Sequence, residues 1–273
     1  MTRLTSKDMP GVAANLDDYD AELFSKTGFN LRGLACCAAG FDETAFSGRV
    51  STSKAAVVPL SCGEGVIDGF CEAVQRILAH LGCDAAVTLQ SNAAGLEEAY
   101  AKRSALIFLA DDDRFLAVNT REFRVVNNAE ATGMGFAWGL HRMAGGVAGR
   151  PVLVLGLGPV GRAAVSTFLQ LGADVWVHDI DPGRVRQFSG VPVKTESDLQ
   201  SALRRHRLIL DATPASSILR PEDIQPDTYV SAPGVPHGLT AGALRKIAGR
   251  FLHDRLEIGV AVMAVLAVQR PEG

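Results

Sequence analysis

The six residues Gly156-Leu157-Gly158-Pro159-Val160-Gly161 constrain this chain more than any other stretch. Glycine is common, so the spacing alone says little, and its surroundings carry the argument. Val152-Leu153-Val154-Leu155, directly before it, is a continuous apolar run, the pattern of a strand buried on both faces of a parallel sheet. After it, Ala163, Ala164, Thr167, Phe168 and Leu171 recur at helical spacing, and Gly172 ends that helix. Val175-Trp176-Val177 reads as the next strand and runs out at Asp179. Strand, glycine turn, helix, strand and acid make a βαβ unit of a doubly wound fold, in the arrangement that cradles a dinucleotide. Gly156 permits the tight turn, Gly158 has no Cβ to hold a pyrophosphate away, and Gly161 lets the helix close on the strand. The amides around Pro159, Val160 and Gly161 face the phosphates, and Pro159, which has no amide, suits the first helical position.

Asp179 then stands where a carboxylate accepts both adenosine ribose hydroxyls and repels a 2′-phosphate. That favours NAD as cofactor, with Leu157 and Ile180 flanking it. The competing role for Asp179 is a helix cap before Ile180-Asp181-Pro182, and Asp181 is a rival acid two residues on. Strands at Leu208-Ile209-Leu210 and Tyr229-Val230 run into Asp211-Ala212-Thr213-Pro214 and Ser231-Ala232-Pro233-Gly234-Val235-Pro236. Thr213, Pro214, Ala232 and Pro233 sit at carboxyl ends of strands, where such sheets bind ligands; ordinary turn chemistry is the plainer reading.

The remainder of the 273 residues alternates in the same way. Ala56 to Leu60, Ala85 to Leu89, Ala105 to Leu109 and Phe115 to Val118 read as strands, and Val66, Phe70, Val74, Ile77, Leu78 and Leu81 as one face of a helix. A helix from Ala131 to Met143 leads into Ala144-Gly145-Gly146, a hinge. The expected fold is α/β in two lobes. Residues 1–146 form an N-terminal α/β substrate lobe, 147–255 a Rossmann-type doubly wound parallel sheet, and 256–273 a C-terminal helix returning toward the interlobe region.

A net charge of −3 without any Lys/Arg block gives no reason to expect nucleic acid or an acidic membrane as partner. The five cysteines lack metal-ligand spacing and form no disulfide framework, so no metal is expected. Thr5, Ser6 and Asp8 leave no apolar leader, and the run Ile258 to Val268 is shorter than the roughly 20 residues a bilayer needs. The reading is a cytoplasmic protein with a small-molecule substrate; its oligomeric state is not written in the sequence.

Candidate substrate residues fall in the first lobe. Ala110-Asp111-Asp112-Asp113 ends a strand; Asp113 reads as a solvated turn, while one of the others can hold a substrate ammonium. Asn127 and Asn128 offer amides or cap the next helix. Ser61-Cys62-Gly63-Glu64-Gly65 offers backbone amides to a carboxylate. Cys62 has no base near it in sequence and is a poor nucleophile candidate. His141, His178, His206, His237 and His253 form no pattern.

Taken in order, Val57-Val58-Pro59, Gly63-Glu64-Gly65, Phe108-Leu109-Ala110-Asp111-Asp112, Phe115-Leu116-Ala117, Asn127-Asn128, the glycine turn, Asp211-Ala212-Thr213-Pro214, Pro233-Gly234-Val235-Pro236 and Ile258-Gly259 resemble the dehydrogenase family of pyrrolysine biosynthesis. The resemblance spans residues 56 to 269. It implies an NAD-dependent oxidation of (3R)-3-methyl-D-ornithyl-Nε-L-lysine at its terminal amine. Ammonia then leaves, and the resulting semialdehyde cyclises with the α-amine. It also implies substrate contacts from Asp111 and Asn128, weaker ones from Ser61, Cys62 and Asn127, and a closing segment that contains Leu4. Asp254 stands where the family has glutamate; Arg255 replaces proline, Glu257 glycine and Cys62 serine. No side chain is singled out as a catalytic acid or base. The rival readings are a two-lobed dehydrogenase of the shikimate or methylenetetrahydrofolate type, which needs a first-lobe lysine that only Lys54 or Lys102 can supply, and an NAD-sensing module without turnover.

Overall fold

The computed structural model describes residues 4–269. In chain order the elements are α1 (Leu16–Thr27), α2 (Leu31–Ala39), α3 (Glu43–Val50), β1 (Lys54–Val58), α4 (Phe70–His80), β2 (Asp84–Val87), α5 (Asn92–Ala101), β3 (Leu106–Ala110), β4 (Phe115–Asn119), β5 (Arg124–Asn127) and α6 (Asn128–Met143). They continue as β6 (Pro151–Leu155), α7 (Pro159–Gln170), β7 (Asp174–His178), α8 (Pro182–Arg186), β8 (Lys194–Thr195), α9 (Leu199–Arg205), β9 (Leu208–Asp211), β10 (Tyr229–Ser231), α10 (Ala241–Ile247), β11 (Phe251–Leu252) and α11 (Glu257–Val268). The chain divides into two compact units. The N-terminal unit takes residues 4–22, 29–131 and 256–269; the C-terminal unit takes 23–28 and 132–255. The division therefore falls at the first turn of α6, ahead of the Gly145-Gly146 turn, where φ reaches +68° and +112°.

The C-terminal unit is a six-stranded sheet in the order β11-β10-β9-β6-β7-β8, with every pairing parallel. Strand order reverses across β6 and β9, which places a topological switch point at their carboxyl ends. Val152, Leu153, Val154 and Leu155 are all fully buried, as their unbroken apolar run requires. Leu153, Leu155, Ile209, Val230, Leu203, Ala243 and Ile247 share one core cluster. Truncating one of its central leucines to alanine costs about 2–5 kcal/mol. Gly172, at φ +74°, ends α7, and the Ala173 amide reaches back to the Phe168 carbonyl at 3.0 Å.

The N-terminal unit carries a mixed sheet, β2-β1-β3-β4-β5: β1 pairs in parallel with β2 and β3, and β3-β4-β5 is an antiparallel meander. Its core helix is the last element of the chain. From Ile258 to Val268, α11 is apolar on every side, so it needs cover all round. It packs against α2, α3, α4, β4 and β5. Side chains hold both ends. Glu257 accepts from the Ala13 amide at 3.0 Å at the start. At the finish Arg49 donates to the Val268 carbonyl (2.9 Å) and Asn119 to the Ala267 carbonyl (2.8 Å). An acid at the N-terminus and a cation at the C-terminus also suit the helix dipole. Glu257 thus has a structural task at the start of α11.

Two local expectations shift. Val66 lies outside α4, because Gly65 and Gly69 take φ of +86° and +81° and delay the helix until Phe70. Strand β2 stops at Val87, and Leu89 is exposed rather than paired. Among the described residues no helix is long and apolar enough to cross a membrane, and no cluster of ligands suits a metal ion.

Candidate active site

In the C-terminal unit the glycine turn closes on itself. A Cβ on Gly161 would overlap the Gly156 carbonyl oxygen, and one on Gly156, at φ +81°, would lie 2.9 Å from the Ala212 carbonyl oxygen. Gly158 differs. Its nearest neighbour to an added Cβ is Arg184 Nη1 at 4.0 Å, so the space above it is open. Two glycines therefore serve packing and one leaves room. Gly158 caps α7 and Pro159 takes its first turn, so Val160 and Gly161 present amides with no partner one turn back. These residues fit a dinucleotide pyrophosphate.

Asp179 follows β7, and its carboxylate is nearly buried, at 4% exposure. Oδ2 accepts from the Leu157 amide at 2.6 Å, and Oδ1 from the Asp181 amide at 2.8 Å. The acid is thereby fixed beside the turn. Capping of α8 falls to Asp181, which accepts from Gly183 at 2.7 Å, so the rival roles of the two acids separate. Arg184 Nη1 stands 3.6 Å from Asp179, and Ile180 is 93% exposed.

The loops after β9 and β10 are joined by a residue whose role the sequence reading missed. Asp211 is fully buried. Its Oδ1 accepts from the Thr213 hydroxyl (2.6 Å) and amide (3.1 Å), and its Oδ2 from the Gly238 amide (2.9 Å). Burial pushes the carboxyl up from its ordinary value, against these three hydrogen bonds, which pull it down. Gly234 comes so close that a Cβ there would lie 2.6 Å from the Thr213 carbonyl oxygen. Thr213, Pro214, Ala232 and Pro233 are in this way set as one wall at the carboxyl ends of β9 and β10.

Beside that wall lies an aromatic group. His253, one residue past β11, donates Nδ1–H to the Ala232 carbonyl at 2.7 Å. His237 stands edge-on to it with ring centroids 5.0 Å apart, and both rings contact Phe251. Asp254, buried, follows directly. The histidines were unreadable as a pair, because only the parallel pairing of Ser231 with Leu252 brings their loops side by side.

Of the candidates of the N-terminal unit, the turn from Ser61 follows β1, Asp111 follows β3, and Asn127 and Asn128 stand where β5 passes into α6. Asp111 is exposed and follows β3, whose first three residues are buried: it begins the β3–β4 turn, where Oδ1 accepts from the Asp113 and Arg114 amides at 2.9 and 2.7 Å. Asp112 lies over the Ser61–Gly65 turn and accepts from the Glu64 amide at 2.9 Å. Asn92 binds Ser61 twice, accepting from its amide (2.9 Å) and donating to its hydroxyl (2.7 Å). The Gly65 amide goes to the Cys62 carbonyl. Three of the turn's amides, expected to meet a substrate carboxylate, are thus engaged, two by side chains from outside the turn and one within it. Cys62 is exposed. Asn127 caps α6 through the Ala129 amide at 2.9 Å, and Asn128 is buried with its amide on Met263 Sδ at 3.1 Å. Leu4 is half-buried ahead of a turn closed by Thr5 and Asp8.

Comparison with known proteins divides along the same line. Residues 8–126 match the sequence model of the N-terminal domain of the pyrrolysine biosynthesis protein PylD; residues 125–214 match the alanine dehydrogenase/PNT C-terminal domain. A pyrrolysine synthase of Methanosarcina acetivorans is 28% identical over 96% of this chain and 98% of its own. One of Methanosarcina barkeri is 26% identical over 96% and 97%. The chain is thus similar to the PylD family, by sequence model over residues 8–126 and by pairwise identity along nearly its whole length. It is an oxidoreductase, a dehydrogenase of pyrrolysine biosynthesis. Its fold is that of shikimate-dehydrogenase-like proteins. The Aquifex aeolicus shikimate dehydrogenase superposes with a TM-score of 0.55 at 16% identity, covering 78% of this chain and 91% of that one. A Corynebacterium glutamicum quinate dehydrogenase, solved with NAD, gives 0.54 at 15%, covering 79% and 93%. The lysine that a shikimate-type reading needs finds no support: Lys54 opens β1 at the end opposite the turns, and Lys102 pairs with Glu98 at 2.6 Å.

Proposed function

We propose that this protein uses NAD to oxidise the terminal amine of (3R)-3-methyl-D-ornithyl-Nε-L-lysine. The primary amine carbon loses two electrons and becomes an imine. Water replaces its nitrogen, ammonium leaves, and the α-amine of the same ornithyl group closes on the aldehyde with loss of water. NAD, when bound, supplies the hydride acceptor. The chain holds the pyrophosphate on Val160 and Gly161, takes the adenosine ribose on Asp179, and sets the wall of Thr213 and Pro233. The cyclisation is intramolecular and five-membered, so positioning does most of the work. The enzyme acts in the cytoplasm on this reading.

One observation carries it: the PylD match falls on the N-terminal unit, where the substrate residues are sought, while the C-terminal match is to a widely shared dinucleotide domain. Asp179, fixed by two amides beside the glycine turn, supports NAD over NADP. The test is to supply NAD with the isopeptide or with shikimate. NADH and a product of pyrrolysine mass from the isopeptide alone support the reading; turnover of shikimate, or none of the isopeptide, contradicts it.

A further inference from the structure

The glycine turn offers amides to a pyrophosphate but no formal positive charge. The pyrophosphate is doubly negative, and the side chain fixed beside the turn, Asp179, is itself an acid. A cation over the turn would offset both. Most of the cations around this end of the sheet are engaged elsewhere. Lys194 bonds to Asp174 at 2.9 Å and Arg205 to Glu196 at 2.8 Å, both at the β8 edge. Arg162, on the first turn of α7, donates to Gln187 at 3.2 Å. Arg186 Nη2 lies 3.6 Å from where a Cβ on Gly183 would stand, at the turn that Asp181 caps. Arg184 is placed differently. Gly158 is the open position of the glycine turn, and what stands over it is Arg184 Nη1, 4.0 Å from where a Cβ would be.

The geometry points to Arg184 as the cation that closes on the dinucleotide's pyrophosphate above Gly158, leaving Asp179 to the ribose. This inference rests on the dinucleotide part of the function proposed above and is indifferent to the amine substrate. In the structure the guanidinium is held between two acids, with Nη1 3.6 Å from Asp179 Oδ2 and Nε 3.7 Å from Asp181 Oδ2. Both separations exceed a hydrogen bond, and the side chain is 50% exposed, so water screens the pairs and holds their worth down. Asp179 gives up little when the guanidinium turns away, because its oxygens already accept from the Leu157 and Asp181 amides at 2.6 and 2.8 Å. The root of the side chain stays fixed, since the Arg184 amide donates to the Asp181 carbonyl at 3.1 Å. A phosphate offers what the two acids do not: oxygens that a guanidinium meets with two parallel N–H···O bonds. An adenosine 2′-phosphate, the other anion an arginine here would attract, meets the fixed carboxylate of Asp179.

The test is calorimetry on Arg184→Gln, Arg184→Lys and Arg186→Gln, with NAD, ADP-ribose, NADP and adenosine as ligands. Losing a charge-assisted hydrogen bond should weaken NAD and ADP-ribose about ten-fold in Arg184→Gln, with adenosine unchanged. Ionic strength separates charge from packing. NAD affinity of the parent should fall as salt rises, Arg184→Lys should keep that slope, and Arg184→Gln should flatten it. Arg186→Gln should match the parent.

If Arg184→Gln binds NAD and ADP-ribose as the parent does, with the same salt slope, Arg184 does not hold the pyrophosphate. The assignment also fails if adenosine weakens as much as ADP-ribose, which puts the guanidinium on the adenosine, or if NADP weakens far more than NAD, which puts it at the 2′ position. It fails again if Arg186→Gln loses as much as Arg184→Gln, since the effect is then general charge. If the parent binds neither NAD nor ADP-ribose, the dinucleotide reading itself fails and this inference with it.

Discussion

Two turns in this chain share a grammar: a buried strand, then a glycine-bearing turn, then a helix. After β6 the helix begins at Pro159, inside the turn, and its first amides face open space above Gly158. After β1 the helix waits until Phe70, past the left-handed Gly65 and Gly69, and the turn's amides are taken by Asn92, Asp112 and Cys62. The first is a cradle for an anion and the second has already filled itself with the protein's own carboxylate and amide. The difference lies in the distance from last strand residue to first helical residue: when the helix starts at once, orphaned amides and the dipole converge on one point; when it starts late, side chains from neighbouring loops satisfy them.

The sharpest way to break the comparison is to add one methyl group to each turn. Gly161→Ala places Cβ against a backbone oxygen that has nowhere to go, so it should abolish measurable dinucleotide binding and lower Tm by several degrees. Gly63→Ala meets only the movable Asp112 side chain and a φ of +64°. It should cost about 1 kcal/mol in denaturant unfolding and leave dinucleotide affinity intact.

Asp211→Ala should come next. It strips three donors of a buried acceptor, at about 1–3 kcal/mol for each group left unsatisfied, and should loosen the wall at Thr213 and Gly238. The pH dependence has a definite sign. A carboxyl raised by folding favours the protonated folded state, so its contribution is fully present below the unfolded pKa and lost as pH rises through the folded one. Asp211→Asn should flatten that decline when unfolding is followed across the acid range.

Smaller effects concern specificity and the N-terminal turn. Asp179→Ser with Ile180→Arg should narrow the preference for NAD over NADP, measured by calorimetry; equal affinities in the parent would remove Asp179 from its role. Asp111→Asn should lower kcat/KM for the isopeptide ten- to a hundred-fold, the worth of a charge-assisted hydrogen bond of about 1.5–3 kcal/mol, with Asp113→Asn near parent. If both match the parent, Asp111 only shapes the β3–β4 turn.

The sequence was most readable where local pattern and fold agree. The βαβ unit and Asp179 follow from periodicity and a motif whose every position has a steric reason. Helix α2 was not: Leu31 to Ala39 is buried on most sides, and a helix with little polar face has no period to detect. Strand β5 is four residues long and was passed over. Asn128 shows another limit, since its sulfur partner on α11 lies far off in sequence. The His237–His253 pair depends on strand pairing alone, so no spacing announces it.

The central claim is that the chain takes hydride from an amine carbon. The direct measurement uses an isopeptide deuterated at the carbon that bears the terminal amine. The account predicts one deuterium in each NADH formed, with one ammonium released per NADH. Unlabelled NADH, or pyrrolysine formed without ammonium release, would contradict it.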